Sequence, residues 1–293
     1  FHQKKKATIR LRMVTYTILG VVTDPSYYHC ESLAKRIAEN SSDARVETFL
    51  SFEVEFWERV DEYKNKIDST LMHYRSTHLV LCDQTIIGDV EAFTSYISSR
   101  FDYVVDAEVA NTVIYNRNVR EGFYNLLKNH ENPIVYIQFG LQDTKKVNDY
   151  DPMGGVYVEL FSKLCPKASE NFIKLSEGGK GSNRYTGCSI NRLVRNGWLQ
   201  TGDVVDNTGK NSVAVEGDTV PDECFQVDFG QWRGGVVGYA NEGAHTNRSQ
   251  FFITLGACPW MNHKFVGFGR VIQGYSILRR INDISTNNQV PVR

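Results

Sequence analysis

The hydrophobic pattern of this chain changes at Asn132-Pro133, and that change constrains the fold more than any other feature of the sequence. Before it, strand-like and helix-like spacings of apolar residues alternate; after it, short apolar runs are separated by glycine turns. A proline disfavours the helical conformation of the residue before it, so a new element is expected there. A length of 293 residues is also long for one hydrophobic core. The sequence therefore predicts two domains of different architecture, the second covering 133–293.

The first half alternates strands and helices. The predicted elements, in order, are a strand at 15–22, a turn at 24–26, a helix at 28–40, a strand at 45–50, a helix at 53–67, a hairpin of strands at 78–82 and 85–87, and a helix at 90–101. Strand–helix–strand units have parallel neighbouring strands, whereas the hairpin is antiparallel. We therefore expect an N-terminal α/β sheet over 14–102, followed by a partly helical linker over 103–132.

This order of elements resembles the thioredoxin/glutaredoxin fold. Residues 17–37 are similar to its first strand, active loop and first helix, and residues 79–89 to its hairpin and the glycine turn that grips glutathione. The resemblance implies a thioredoxin-like domain, whose redox chemistry needs a nucleophilic cysteine at a helix N-terminus. Here the loop has only Cys30, set late, and Thr77-His78 stands where the fold places a cis-proline. We predict a binding or scaffolding domain with a packed thiol, and keep a thiol oxidoreductase as the alternative.

Charge and cysteine content exclude several classes of function. The net charge is -1, so no overall basic field favours nucleic acid or anionic lipid. No apolar run approaches the ~18–20 residues that span a bilayer. The cysteines show neither a C-x-x-C motif nor zinc spacing, which predicts no metal, no cofactor and reduced thiols in the cytoplasm. Because the chain opens with Phe1 and stops at Arg293, we expect that segments are missing at both ends.

The second half has the pattern of an antiparallel β protein. Predicted strands at 134–139 and 156–161 form a hairpin around Gly154-Gly155, and a helix begins at Cys165-Pro166. A glycine-rich loop, several short strands and a helix at 275–281 follow. Two helices among mostly antiparallel strands predict a closed antiparallel β-barrel capped at both ends.

Three sequence blocks in this half resemble the motifs of the cyclophilin family. They are "RLVRNGWLQTGD" at 192–203, "GYANEGAHTNRSQFFI" at 238–253 and "PWMNHKFVGFGRVIQG" at 259–274, in the family's order and at its intervals. The helix "LCPKASENFIKL" is similar to a cyclophilin helix as well. The resemblance covers about half the chain and implies a peptidyl-prolyl cis-trans isomerase, which binds proline-containing peptides.

The resemblance also implies how the reaction is catalysed. The X–Pro amide rotates slowly because its C–N bond has double-bond character, with a barrier of ~18–20 kcal/mol. A guanidinium directed at the prolyl nitrogen localises the lone pair and favours the twisted amide over both planar forms. Arg192 holds the position of the family's catalytic arginine. Gln200 matches the glutamine that holds this arginine and touches the substrate backbone.

The same alignment implies a set of peptide-binding residues. Phe252 and Met261 match the floor and wall of the proline pocket, and the backbone of Asn241 matches the residue that pairs with the peptide. The full implied set is Ala240, Asn241, Gln250, Phe252, Trp260, Met261, Trp198 and Phe265.

The implied pocket departs from the family at several positions. Gly197 stands where an aromatic wall is expected, Trp198 where Met is expected, Phe265 in place of a histidine, and Thr201 in place of a glycine. Loss of a buried phenyl ring removes roughly 1.5–3 kcal/mol of apolar contact. These departures bear on substrate affinity more than on Arg192.

Two functions therefore stay open. One is a prolyl isomerase with Arg192 stabilising the twisted amide. The other is a weakly active or inactive cyclophilin-fold scaffold. Cyclophilins with a "VRNGWLQ" run and a similar front half are associated with motile cilia, which implies a place on the ciliary axoneme, with tubulin or axonemal proteins as partners.

Overall fold

A computed structural model describes residues 13–100, 112–142, 150–178, 183–231 and 233–292. The chain divides into two compact units, Phe1–Asn129 and His130–Arg293. In the described ranges, no helix has the length and apolar character needed to cross a membrane. Each unit is described separately below.

The first unit is an α/β unit with a mixed sheet. Its elements are β1 (Val14–Val21), α1 (Pro25–Asn40), β2 (Ala44–Ser51), α2 (Glu53–Lys66), a 3₁₀ helix (Ser69–His73), β3 (His78–Cys82), β4 (Thr85–Gly88), α3 (Val90–Arg100) and α4 (Thr112–Lys128). Strand order is β2-β1-β3-β4, with β1 parallel to β2 and antiparallel to β3. The expected α/β sheet with one antiparallel hairpin is therefore present.

The start of α1 differs from the sequence prediction. The expected turn at 24–26 is the beginning of the helix, because Asp24 is its N-cap and accepts a hydrogen bond from the backbone N–H of Ser26. Pro25 occupies the first helical turn, where a missing N–H costs no helical hydrogen bond. The helix then buries Tyr27, Cys30 and Leu33 against the sheet.

Helix α4 lies within the segment that the sequence predicted as a linker. Its Tyr115 is buried in the core cluster of the first unit, and Val119 packs against the same cluster. The helix also lies close to α1 and to β2, since a Cβ on Gly122 would clash with the Tyr28 hydroxyl and lie 3.1 Å from Leu50. Residues 101–111 lie outside the described residues, and they include 103–111, the first part of the predicted linker.

The second unit is built on a curled antiparallel sheet. Its elements are β5 (Ile134–Gln142), β6 (Tyr150–Leu160), α5 (Pro166–Glu177), β7 (Arg192–Val194), β8 (Trp198–Thr201), β9 (Val236–Tyr239), β10 (Phe251–Thr254), a 3₁₀ helix (Pro259–Met261), β11 (Gly267–Gln273), α6 (Tyr275–Asn282), β12 (Thr286–Asn287) and β13 (Val290–Pro291). The seven-stranded sheet has the order β5-β6-β11-β9-β10-β8-β7.

Two predictions for this unit need correction. Strands β5 and β7 form the two edges of the sheet and are not paired with each other in the described residues, so the sheet is a half-barrel and not a closed barrel. Gly154 and Gly155 lie inside β6, paired with Phe139 and Gln138, so they do not form the hairpin turn. The connection between β5 and β6 covers 143–149, outside the described residues.

The two helices cover different parts of this sheet. Phe172 of α5 is buried in an aromatic cluster with Tyr185, Phe251 and Phe268. Helix α6 packs on β6, where a Cβ on Gly154 would lie 2.7 Å from Ile277. The sheet is thereby held in one curvature, which positions its short strands β7, β8 and β10.

Candidate functional site

The register of three strands brings the predicted catalytic residues to one face of the sheet. Arg192 on β7 pairs with Gln200 on β8, and Gln200 pairs with Phe252 on β10. Directly opposite residues of antiparallel strands project to the same side, so these three side chains share one face, which we call the outer face. Their neighbours project to the other side and are fully buried inside the curled sheet: Leu193, Leu199 and Ile253.

Arg192 is exposed at the edge of the outer face. Its Nε donates a hydrogen bond of 2.5 Å to Oε1 of Gln289, and its guanidinium carbon lies 4.9 Å from the centroid of the Trp198 ring. With described residues, the Arg192 side chain forms no other hydrogen bond, ion pair or ring contact. The expectation that Gln200 holds the arginine is thus not met in this structure, because Gln289 does so; this residue was missed by the sequence prediction.

Gln200 is instead bonded to Gln250. The Nε2 of Gln200 donates to Oε1 of Gln250 at 2.9 Å, and Gln250 is only 7% exposed. The Nε2 of Gln250 donates to the carbonyl groups of Gly209 and Asn211 at 3.1 and 2.9 Å. The Gln250 amide therefore bonds the loop after β8 to the start of strand β10. Gln200 stays opposite Phe252 in the strand pairing.

Asp203 organises that loop from inside. It is 1% exposed, and its carboxylate accepts backbone hydrogen bonds from Val205, Asp206, Gly209 and Asn211. Burial opposes ionisation of Asp203, but these backbone N–H groups outweigh it and lower its pKa to about 2. The sequence prediction missed this role, although a Gly-Asp pair after a short strand is a common turn signal.

The apolar part of the outer face is closely packed. Phe252 and Met261 are only 2% and 3% exposed, in a cluster with Phe229, Val236 and Cys258. Trp198 and Phe265 pack against this cluster from the partly exposed side, and the Phe265 ring meets the Phe252 ring edge-on at 5.4 Å. The predicted pocket residues are thus brought together, with Phe229 as an additional member.

The glycine that replaces the aromatic wall has a tight environment. Gly197 is buried, and a Cβ there would lie 3.0 Å from a Val194 methyl group. Beside it, the Trp198 and Trp260 rings meet at 6.4 Å in a T-shaped arrangement, and Trp260 is 52% exposed. Two indoles therefore form the outer wall at the place where the family has a phenyl ring.

The backbone of Asn241 offers hydrogen-bonding groups beside this wall. Its side-chain Nδ2 donates to the Lys264 carbonyl at 3.0 Å, while its backbone N–H and C=O form no hydrogen bond with any described residue. The preceding Ala240 donates its N–H to the Gln250 carbonyl at 3.0 Å. An unpaired N–H and C=O next to a sheet can bind an extended peptide by strand-like pairing.

Comparisons with known proteins decide the family. The family model described as "Cyclophilin type peptidyl-prolyl cis-trans isomerase/CLD" matches residues 145–293, half of the chain. This chain belongs to the cyclophilin family. The resemblance predicted from the three sequence blocks is therefore confirmed, and the second unit is a cyclophilin unit.

Individual relatives extend this result. The "Probable inactive peptidyl-prolyl cis-trans isomerase-like 6" of Homo sapiens is 27% identical, over 96% of this chain and 89% of the relative. "Peptidyl-prolyl cis-trans isomerase B" of Saccharomyces cerevisiae is 36% identical over 46% of this chain and 65% of that protein. A solved cyclophilin-type isomerase of Cryptosporidium parvum is 30% identical. The match covers 47% of this chain and 84% of the Cryptosporidium chain, with a TM-score of 0.43.

The first unit has a polar cluster at the start of α1. The Nε2 of His78 accepts from the Val90 N–H at 2.9 Å, so the ring proton lies on Nδ1, which donates to Asp24 at 2.7 Å. Thr77 also donates to Asp24. Burial opposes ionisation of Asp24, but the hydrogen bonds from His78 and Thr77 outweigh it and lower the pKa of its carboxyl. We call these three residues the Asp24–His78 cluster; the sequence prediction did not identify it.

Cys30 lies close to this cluster and has the properties of a packed thiol. It is fully buried, and burial, with the negative charges of Asp24 and Asp89, raises the pKa of its thiol to about 12. A redox nucleophile needs the opposite environment, exposed and electropositive. The geometry therefore favours the structural role predicted for Cys30 over the thiol oxidoreductase. Within the described ranges, no cluster of His, Cys, Asp and Glu has the makings of a metal site.

Proposed function

We propose that the cyclophilin unit binds proline-containing peptides on its outer face and isomerises their X–Pro bonds. The observation that carries this proposal is the strand register, which places Arg192, Gln200 and Phe252 side by side. Rotation about an amide breaks no covalent bond, so the reaction requires no cofactor or metal. What it requires is a rigid surface that fits the twisted amide better than either planar form.

Hydrogen-bond donors near this register support the proposal. Arg192 is held through Nε by Gln289, so its terminal N–H groups stay available for a peptide. A preorganised charged donor of this kind is worth about 3 kcal/mol of barrier. Along the outer face, the Asn241 backbone pairs with the peptide main chain, and the indole N–H of Trp260 provides a further donor.

The burial of the pocket floor sets the expected strength of binding. Because Phe252 and Met261 are only 2% and 3% exposed, a pyrrolidine ring meets their partly exposed neighbours Trp198 and Phe265 before the phenyl floor. The substrate then gains less apolar contact than in a pocket with an open floor, by roughly 1.5–3 kcal/mol. We therefore propose a slow isomerase with weak affinity for short peptides.

A protease-coupled assay on X–Pro peptides tests the proposal. Arg192→Ala is expected to lower the catalysed rate about 100-fold or more, because it removes the charged donor. Arg195→Ala is the matched control: Arg195 is also exposed, near β7, and among the described residues its side chain pairs with Asp283 alone, at 3.4 Å, so the rate should not change. Equal rates for the wild-type chain and Arg192→Ala would contradict the proposed isomerase function.

A second candidate function is a peptide-binding module without turnover. It is favoured by the burial of Phe252 and Met261 and by the words "Probable inactive" in the names of relatives that span most of this chain. Calorimetric binding of an X–Pro peptide, together with a null result in the coupled assay, would establish it. Turnover that depends on Arg192 would exclude it.

For the first unit we propose a thioredoxin-like fold that serves as a scaffold. The support is its element order and its sheet order β2-β1-β3-β4, together with the burial of Cys30. A cytoplasmic location and a place on ciliary axonemes, with tubulin or an axonemal protein as partner, stay predictions. Co-sedimentation of the purified chain with axonemes tests them, and a chain that stays entirely in the supernatant contradicts the axonemal prediction.

A further inference from the structure

The small hairpin of β12 and β13 is bonded to strand β7 through a single residue. The backbone N–H of Leu193 donates to the carbonyl of Gln289 at 2.6 Å. The side chain of the same Gln289 accepts the 2.5 Å hydrogen bond from Nε of Arg192. Main chain and side chain of one hairpin residue thus bind two consecutive residues of β7, the first of which is the proposed catalytic arginine.

The backbone at this hairpin is one that glutamine rarely adopts. Asn288 and Gln289 have φ values of 48° and 67°, in the left-handed region. A two-residue hairpin turn of this kind favours glycine, because a side chain in the left-handed region clashes with its own carbonyl group. Strained residues of this type cluster at functional sites. What glutamine adds here, and glycine lacks, is the side-chain oxygen that binds Arg192.

The hydrogen bond restrains the arginine without using its outer donors. Nε is the inner N–H of the guanidinium, and the planar group also lies over the Trp198 ring at 4.9 Å. The acceptor at Nε and the Trp198 ring beside the guanidinium carbon together restrict the movement of the head. Its terminal N–H groups form no hydrogen bond with any described residue, and so can meet a prolyl amide.

We propose that Gln289 is a positioning residue for Arg192: its side-chain oxygen fixes the guanidinium over Trp198 in the orientation used for isomerisation. This rests on the proposed isomerase function. Because Gln289 acts through Arg192 and not on the peptide, its loss should lower kcat and leave KM unchanged. If Gln289 were only a turn residue, its replacement by glycine would relieve strain and stabilise the unit without lowering kcat.

The test compares Gln289→Gly with the matched control Asn288→Gly in the full chain. Both substitutions relieve a left-handed residue, so both should keep or raise Tm, but only the first removes the acceptor for Arg192. Gln289→Gly is expected to lower kcat about tenfold, as befits one hydrogen bond to a charged group, and Asn288→Gly to leave it unchanged. Gln289→Glu keeps the oxygen and should keep most of kcat.

A measurement on Arg192 itself separates this proposal from the proposed function. The Nε–H resonance of Arg192, assigned by its loss in Arg192→Lys, should exchange with water about tenfold faster in Gln289→Gly than in the wild-type chain or Asn288→Gly. Unchanged exchange, or an unchanged kcat in Gln289→Gly, overturns the role of Gln289. A wild-type chain that shows no turnover overturns the isomerase instead, whichever exchange rate is found.

Discussion

The Asp24–His78 cluster of the first unit and the outer face of the cyclophilin unit differ in where their polar groups bond. Asp24 and His78 bond to Ser26, Thr77 and Val90 within their own unit. On the outer face, the Asn241 backbone and the terminal N–H groups of Arg192 bond to no described residue. Buried polar groups that are satisfied internally hold helices together, whereas exposed groups without partners are available to a ligand.

The most reactive-looking residue of each unit follows the same contrast. Cys30 is buried beside negative groups, which raises the pKa of its thiol to about 12 and keeps it protonated. Arg192 is exposed and charged, and the described residues hold it at Nε alone. The comparison teaches that the residue type at a motif position is not enough: the surroundings of Cys30 disfavour its thiolate, whereas Arg192 lies exposed on the outer face of the second unit.

The largest effect that tests this contrast is Asp24→Ala. It leaves buried His78 without its acceptor and α1 without its N-cap, so the first unit should lose about 3 kcal/mol of stability. Glu62→Ala, which removes only an exposed pair with Lys66, should cost less than about 0.5 kcal/mol. Hydrogen exchange of the first unit's amides measures both; equal protection in the two variants would contradict a structural role for the cluster. Isomerase activity should not change.

A smaller effect is expected from Trp198→Met. The shorter side chain should uncover Phe252 and Met261, and the Kd for an X–Pro peptide should fall about tenfold. Trp260→Met should weaken binding, because Trp260 is 52% exposed beside Trp198 and would lose its contact with the peptide. Calorimetry of the two variants distinguishes the roles; weaker binding in both would show that Trp198 is itself a contact for the peptide and not a cover.

The smallest effect near neutral pH concerns Asp203. Its pKa falls from an unfolded value of about 3.9 to about 2 in the folded unit, so its ionised form stabilises the fold above about pH 4. That stability should be constant from about pH 5 to 8 and be lost as the pH falls towards 2. Denaturant unfolding followed by Trp fluorescence measures it. Asp203→Asn should be less stable at pH 7 and lose less on acidification; the same acid loss as wild type would contradict the assignment.

Local patterns predicted much of the fold. Helical and strand spacings located β1, α2, β3 and α3 to within a residue or two, because each is a strongly periodic run. The half-barrel could not be predicted from such patterns, since whether β5 and β7 meet depends on the curvature of the whole sheet. The predicted turn at Gly154-Gly155 was wrong for a related reason. Glycine also occurs inside strands where another element approaches closely, and here Ile277 of α6 approaches Gly154.

The candidate site was predictable to the extent that it follows from motif spacing. Arg192, Gln200 and Phe252 could be placed together because they lie in short blocks of similar spacing to the family's. Gln289 could not, since it contacts Arg192 across 97 positions through a hairpin without a recognisable motif. The Asp24–His78 pair, 54 positions apart, is hidden in the same way. Long-range side-chain contacts of single residues leave no periodic signal in the sequence.

The most direct test of the central claim is a titration of the isotope-labelled full chain with an X–Pro peptide, followed by NMR. If the outer face binds the peptide, the backbone N–H of Asn241, the indole N–H of Trp260 and the Nε–H of Arg192 should show the largest shifts. The amides of the Asp24–His78 cluster in the first unit should stay unchanged. Shifts confined to the first unit, with Asn241, Trp260 and Arg192 unaffected at saturating peptide, would contradict the account.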